Sequence, residues 1–94
     1  MDDIINNISY ACEKLKNLLI EKNSKYGNSF FKTADEYGGA VLLLRIDDKL
    51  NRLKEMILRD VPDDMEGESI CDTLTDIAGY AILSKIYLEQ KMDE

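Results

Sequence analysis

Apolar residues return at helical spacing in three long runs of this 94-residue chain, and the intervals between the runs are polar or rich in glycine. From Asp2 to about Asn23, the residues Ile4, Ile8, Cys12, Leu15 and Leu19 share one face, widened by Ile5, Ala11 and Leu18, which predicts a first helix. Asp2 and Asp3 at its start and Lys22 toward its end suit the helix dipole. A second run, from about Gly39 to Arg59, sets Leu43, Ile46, Leu50, Leu53 and Ile57 in a stripe and stops ahead of Pro62. A third begins near Gly67 and continues to about Lys91, with Ile70, Leu74, Ile77, Ala81 and Leu88 on one side and Cys71, Ala78, Ile82 and Ile86 on another. An apolar arc that wide calls for partners on two sides, more than three helices of one chain supply, so a homo-oligomer is expected. Gly79 lies inside this run, where glycine costs about 1 kcal/mol relative to alanine. With Ala78 and Ala81 beside it, the position would permit close approach of another helix or a ligand.

Between the first two runs, SKYGNSFFKTADEYGG loses the helical period and contains Gly27, Asn28, Gly38 and Gly39. It reads as a loop with at most a short helical turn, in which Thr33 followed by Glu36 fits a capping box. The loop is longer than packing requires, and such loops are often functional. Tyr26, Phe30, Phe31 and Tyr37 give it most of the chain's aromatic rings, which either plug the open end of a bundle or form a lid that stacks on a base. The expected architecture is a single all-α domain over residues 1–94. It has three main helices with an aromatic loop between the first and second, and assembles into an oligomeric helical bundle.

Charge adds a second pattern. Arg45, Lys49 and Arg52 line one ridge of the second helix, and Glu68, Asp72 and Asp76 line one ridge of the third. If the two helices fold back on each other across RDVPDDMEG, residues at equal height pair Arg45 with Asp76, Lys49 with Asp72 and Arg52 with Glu68. Such a ladder is either a structural zipper that sets register or the lining of a polar site. Asp48 falls opposite Asp72 in this register, so Asp48, Glu68, Asp72 and Asp76 could also converge on a hard cation such as Mg²⁺, completed by water and phosphate oxygens. Arginine forks onto phosphate, whereas Lys49 acts as a movable point charge.

Composition removes several function classes. The net charge of -7 and pI near 4.5 argue against a protein that grips a nucleic acid backbone. With no histidine in the chain, histidine-based nucleophile, zinc and proton-shuttle mechanisms are out. Gly27, Gly38 and Gly39 match neither a Walker loop nor a dinucleotide fingerprint, and no serine or cysteine stands beside an evident base. Mean hydropathy of -0.31 leaves no room for a membrane span. MDDIINN carries acids where a secretory signal would carry lysine or arginine, which points to the cytosol and to Cys12 and Cys71 as reduced core thiols.

SKYGNSF, RIDDKLNRL and ESICDTLTDIAGYAILSKIYLE resemble, in order, the three blocks of the small phage and bacterial family called nucleotide modification associated domain 1, over roughly residues 20 to 90. That family is distantly similar to the all-α nucleotide pyrophosphatases of the MazG and dimeric dUTPase kind, helical oligomers that hold nucleotide phosphates through Mg²⁺. The resemblance implies that Tyr26, Gly27 and Asn28 match the family's loop. Arg45, Asp48, Lys49 and Arg52 match its second block, and Glu68, Asp72, Asp76 and Tyr80 its third. The chain departs from the pyrophosphatases in having Asn51 where their metal helix repeats an acid, and Glu68-x-x-x-Asp72 in place of their second acidic pair. Fewer acids and more cations favour binding without turnover.

The leading expectation is a small phage protein that binds a nucleotide or nucleotide-derived signal, an anti-defence sponge that sequesters a host messenger without hydrolysis. Its ligand-binding residues would be Tyr26, Gly27, Asn28, Phe30, Arg45, Lys49, Arg52 and Tyr80, with Asp48, Glu68, Asp72 and Asp76 as the metal set. The alternatives are a Mg²⁺-dependent nucleotide pyrophosphohydrolase and a non-catalytic partner of a phage nucleotide- or DNA-modifying enzyme.

Overall fold

The computed structural model describes residues 3–26, 28–59 and 69–93. The chain is all-α, with four helices in the order α1 (Ile4–Tyr26), α2 (Ser29–Tyr37), α3 (Ala40–Leu58) and α4 (Ile70–Met92). No described helix is long and apolar enough to cross a membrane.

The three long helices lie where periodicity puts them, but the expected loop is largely helical. SFFKTADEY places Phe30, Phe31 and Ala34 three and four residues apart, a short amphipathic face that a window spanning the flanking glycines dilutes. Backbone chemistry sets its limits. Asn28 enters in the left-handed region at φ 62, where asparagine is among the few tolerated non-glycine residues, and Gly38 leaves at φ 89. The Gly38 amide donates to the Ala34 carbonyl at 2.8 Å and closes the last turn. Thr33 and Glu36 therefore lie inside α2 and form no cap, contrary to the capping box expected there. The true box opens α4. Ser69 Oγ accepts from the Asp72 amide at 2.9 Å, and Asp72 Oδ2 accepts from the Ser69 amide at 3.3 Å. The Thr73 hydroxyl adds a bond to the Ser69 carbonyl at 3.0 Å.

Helices α3 and α4 form an antiparallel pair, the main tertiary contact of the chain. The covered positions include Leu42, Ile46, Lys49, Leu53 and Met56 on α3 and Ile70, Thr73, Ile77, Tyr80, Ser84 and Tyr87 on α4. Both sets alternate steps of three and four, the seam of a coiled coil. The expected α3 stripe is therefore turned by about one residue: Leu43, Leu50 and Ile57 are exposed. Buried Thr73, Gly79 and Ser84 explain why α4 reads ambiguously, since its best-covered residues are small or polar. Ala34 of α2, Leu42 of α3 and Tyr87 of α4 form the core, with Phe30 and Phe31 packed against it. Phe30 and Phe31 thus pack inward, whereas Tyr37 stays exposed. Phe31 meets Phe30 edge-on at 5.6 Å and tilts over Tyr87 at 6.4 Å.

Helix α1 crosses α4 at Gly79, where a β-carbon would stand 3.1 Å from Leu19 Cδ2 and 3.9 Å from Leu15 Cδ1. Beyond this crossing Ile4, Ile5, Ile8 and Tyr10 are exposed. Cys12 and Cys71 are exposed free thiols, a correction to their expected place in the core. The reason is that α1 covers α4 at one crossing, so the apolar faces that carry the two cysteines stay open.

Candidate functional site

The charged ridges of α3 and α4 do meet, one helical turn away from the expected register. Lys49 Nζ lies 3.0 Å from Asp76 Oδ2, with both side chains mostly covered, so Asp76 faces Lys49 where Arg45 was expected. The shift follows from the caps and the core. Asp72 is committed to the capping box, and Leu42 packs with Ala34 and Tyr87, which slides α4 by a turn relative to a match of charges alone.

Asp76 also lines a cleft of about 270 Å³ among α1, α2 and α4. Lys22 and Asn23 of α1, Ser29 and Phe30 of α2, and Thr75, Gly79 and Tyr80 of α4 line it together with Leu15, Leu18, Leu19 and Leu83. Phe30 and Tyr80 stand nearly parallel, with centroids 6.1 Å apart and an interplanar angle of 27°, and form one aromatic wall. At the mouth, Asn28 Oδ1 accepts a hydrogen bond from Asn23 Nδ2 and ties the end of α1 to the start of α2. Gly79 is what lets α1 lie this close, because any larger residue would meet Leu19.

Of the residues named from sequence, Phe30, Asp76 and Tyr80 line this cleft, Lys49 holds Asp76, and Asn28 braces the rim. Arg45 and Asp48 face away from it, into a shallow depression shared with Thr33, Asp47 and Asn51. Arg52 is half-buried on α3 and does not line the cleft. Asp72 caps α4 and borders a groove with Lys14 and Glu21 of α1. Gly27, Glu68 and the side chain of Tyr26 lie outside the described residues. Lys22, Asn23, Ser29 and Thr75 escaped the sequence reading. They sit on helix faces whose charge or polarity looks like ordinary solvent exposure until α1 and α2 fold over α4.

The described donors do not gather into a cation cage. Among the described residues no three carboxylate or thiol side chains gather, Asp48, Asp72 and Asp76 lie in three different depressions, and Asp76 is held by Lys49. What the cleft offers instead is an aromatic wall, amide and hydroxyl groups, and the Lys22 ammonium group beside an Asp76 carboxylate that Lys49 of α3 holds from outside the lining.

No known family, curated protein or solved structure matches the chain.

Proposed function

We propose that the protein binds a small anionic ligand with a planar ring, of nucleotide type, in the cleft among α1, α2 and α4, and releases it unchanged. The observation that carries this reading is the convergence of the Phe30 and Tyr80 rings with Lys22 and with Asp76, its charge met by Lys49 of α3, around one concavity. A base lies against an aromatic wall, and a phosphate draws on the Lys22 ammonium group. At about 270 Å³ the cleft suits one nucleoside unit rather than a longer oligonucleotide. The sequence resemblance to nucleotide-handling proteins points to the same ligand class.

Binding without turnover is favoured over pyrophosphate hydrolysis because Asp48, Asp72 and Asp76, the described acids a hydrolase would cluster, are dispersed, and Asp76, which lines the cleft, already faces an ammonium group. A nucleotide-derived messenger held this way would be sequestered, the role expected of a sponge.

Titration calorimetry against a panel of nucleoside mono- and diphosphates and cyclic mononucleotides, with and without Mg²⁺, tests the reading. At least one should bind, Lys22→Ala should weaken it about tenfold or more through loss of a charge-assisted contact, and heat denaturation should return it intact by chromatography. Released pyrophosphate would replace the sponge with a hydrolase. Affinity indifferent to Lys22→Ala and Phe30→Ala alike would remove the cleft from consideration.

A further inference from the structure

We infer that the open edge of the α3/α4 pair is the contact surface for a second copy of this chain, packed through a two-fold axis as a four-helix layer. Leu43, Leu50 and Ile57 each follow a seam residue of α3 and recur every seven residues, and Leu74, Ala81 and Leu88 do the same on α4. In an antiparallel coiled coil, the positions that follow these seam residues on the two helices flank the same edge. Helices α1 and α2 occupy the other edge, against Asp76, Gly79 and Leu83 of α4 and Val41 and Arg45 of α3. Six uncharged apolar positions therefore form one face that no other described helix covers.

What marks them is their alignment on one edge combined with exposure: Leu43 is 73% exposed, Leu50 38%, Ile57 55%, Leu74 48% and Leu88 48%. Together they present roughly 500 Å² of apolar side chain per chain, which with a polar rim approaches the ~800 Å² that each partner of a stable complex buries. The whole chain exposes 7248 Å², whereas a compact monomer of its mass exposes about 5,500 Å². Its radius of gyration is 15.1 Å, against about 12.4 Å for a compact domain of this length. The excess of about 1,700 Å² is roughly twice what one standard contact buries per partner, so covering this face removes part of it.

A second copy fits this face better than an unrelated partner. Two antiparallel helices carrying matching stripes are self-complementary under a two-fold rotation, which places stripe on stripe at the shallow crossing angle of a four-helix bundle. The cleft lies on the opposite edge, so the assembled protein keeps it open in both copies.

Sedimentation equilibrium of the intact chain should give a dimer or an assembly with an even number of copies. Leu50→Glu and Leu74→Glu should each halve its mass, while Ile5→Glu on the exposed part of α1 leaves it unchanged. A wild-type monomer at tens of micromolar, an odd number of copies, or an assembly dispersed by Ile5→Glu and not by the stripe variants would overturn the inference. Because a glutamate could also unfold the chain, single cysteines at Leu50 and Leu88, in a background with both native cysteines changed to serine, provide a milder readout. Their maleimide labelling should slow at least fivefold on going from nanomolar to tens of micromolar protein. Labelling rates independent of concentration would again overturn it.

Discussion

Helix α4 meets α3 along one face and α1 along another, and the two contacts are built on different principles. Toward α3 the contact repeats every three or four residues, from the capping box at Ser69 and Asp72 through Lys49–Asp76 to the core at Leu42 and Tyr87. Toward α1 it is one crossing, where Leu15 and Leu19 close over Gly79. A repeated seam distributes its loss over many residues and holds its register. A single crossing can open without disturbing the rest, which is the low-stability behaviour expected where ligands enter. The cleft lies at that second contact, so the chain separates a framework of α2, α3 and α4 from a movable wall, α1.

The sharpest way to break this comparison is a pair of truncations at one fixed protein concentration. Leu42→Ala, in the core with Ala34 and Tyr87, should cost about 2 to 4 kcal/mol. Leu19→Ala, half-buried at the crossing, should cost about 1 kcal/mol and lower ligand affinity as well. Urea denaturation followed by circular dichroism reads both. Equal losses would mean that α1 is as firmly part of the framework as α3.

Next in size is the register pair. Asp76→Ala removes the carboxylate that faces Lys49 in a mostly covered seam and should cost about 1.5 to 3 kcal/mol, the range for hydrogen bonds to charged groups. Replacing both partners, Lys49→Met with Asp76→Leu, should recover most of that loss, since apolar residues of similar volume often substitute well for a covered ion pair. The double-mutant cycle separates pairing from packing. Recovery of stability with loss of ligand binding would mark the pair as part of the site, whereas additive losses would show that the seam is registered by its apolar residues alone.

The helices were legible in the sequence because long apolar periods over more than five turns outweigh local exceptions, and α3 lies within a residue of its expected bounds at each end. Facing was less legible. A search for the largest hydrophobic residues selects Leu43, Leu50 and Ile57, yet the seam runs one residue earlier through Leu42, Lys49 and Met56, because Thr73 and Ser84 on α4 leave room for a close approach that a hydrophobicity count ignores. The charge match on α3 and α4 identified the right ridges and missed their register by a turn. Asp72 looks like a ladder member until Ser69, three residues earlier, claims it as a cap. Of the cleft, Phe30 stood out in the aromatic stretch and Asp76 in the charge ridge, while Tyr80 was named only through the family resemblance. Lys22 and Asn23 did not stand out, since nothing in a helix's own sequence says where a neighbouring helix will cross it.

A smaller effect is expected at the crossing itself. Gly79→Ala gains up to about 1 kcal/mol of helix propensity in α4 but sets a methyl group 3.1 Å from Leu19 Cδ2. The obstructing atom is the free end of a flexible side chain on the less firmly held helix, so α1 gives way and α4 keeps most of the gain. Global stability should rise by about 0.5 kcal/mol while affinity at the cleft falls about threefold, measured by thermal denaturation and calorimetry. A fall in both would place α1 in the framework.

The smallest effect lies at the far end of α4. Lys91 Nζ stands 3.0 Å from Asp35 Oδ1 and over the Tyr87 ring at 5.5 Å, tying α4 to α2. The Asp35 carboxyl is held below its ordinary pKa by a hydrogen bond from Lys91, then by one from Tyr87 and by the Lys91 charge, against a small opposing cost of desolvation. A carboxylate with a depressed folded pKa binds its proton more readily in the unfolded chain. Its contribution is therefore present above the ordinary carboxylate range and lost as pH falls through the lowered value. Because the pair is exposed, water and salt screen it and the loss is slight. Hydrogen exchange between roughly pH 6 and pH 3, corrected for the intrinsic pH dependence of exchange, should show protection of the α2 amides dropping on the acid side and α1 unaffected by this pair. Asp35→Asn should flatten the α2 response. A drop confined to α1 would reverse the assignment of which helix belongs to the framework.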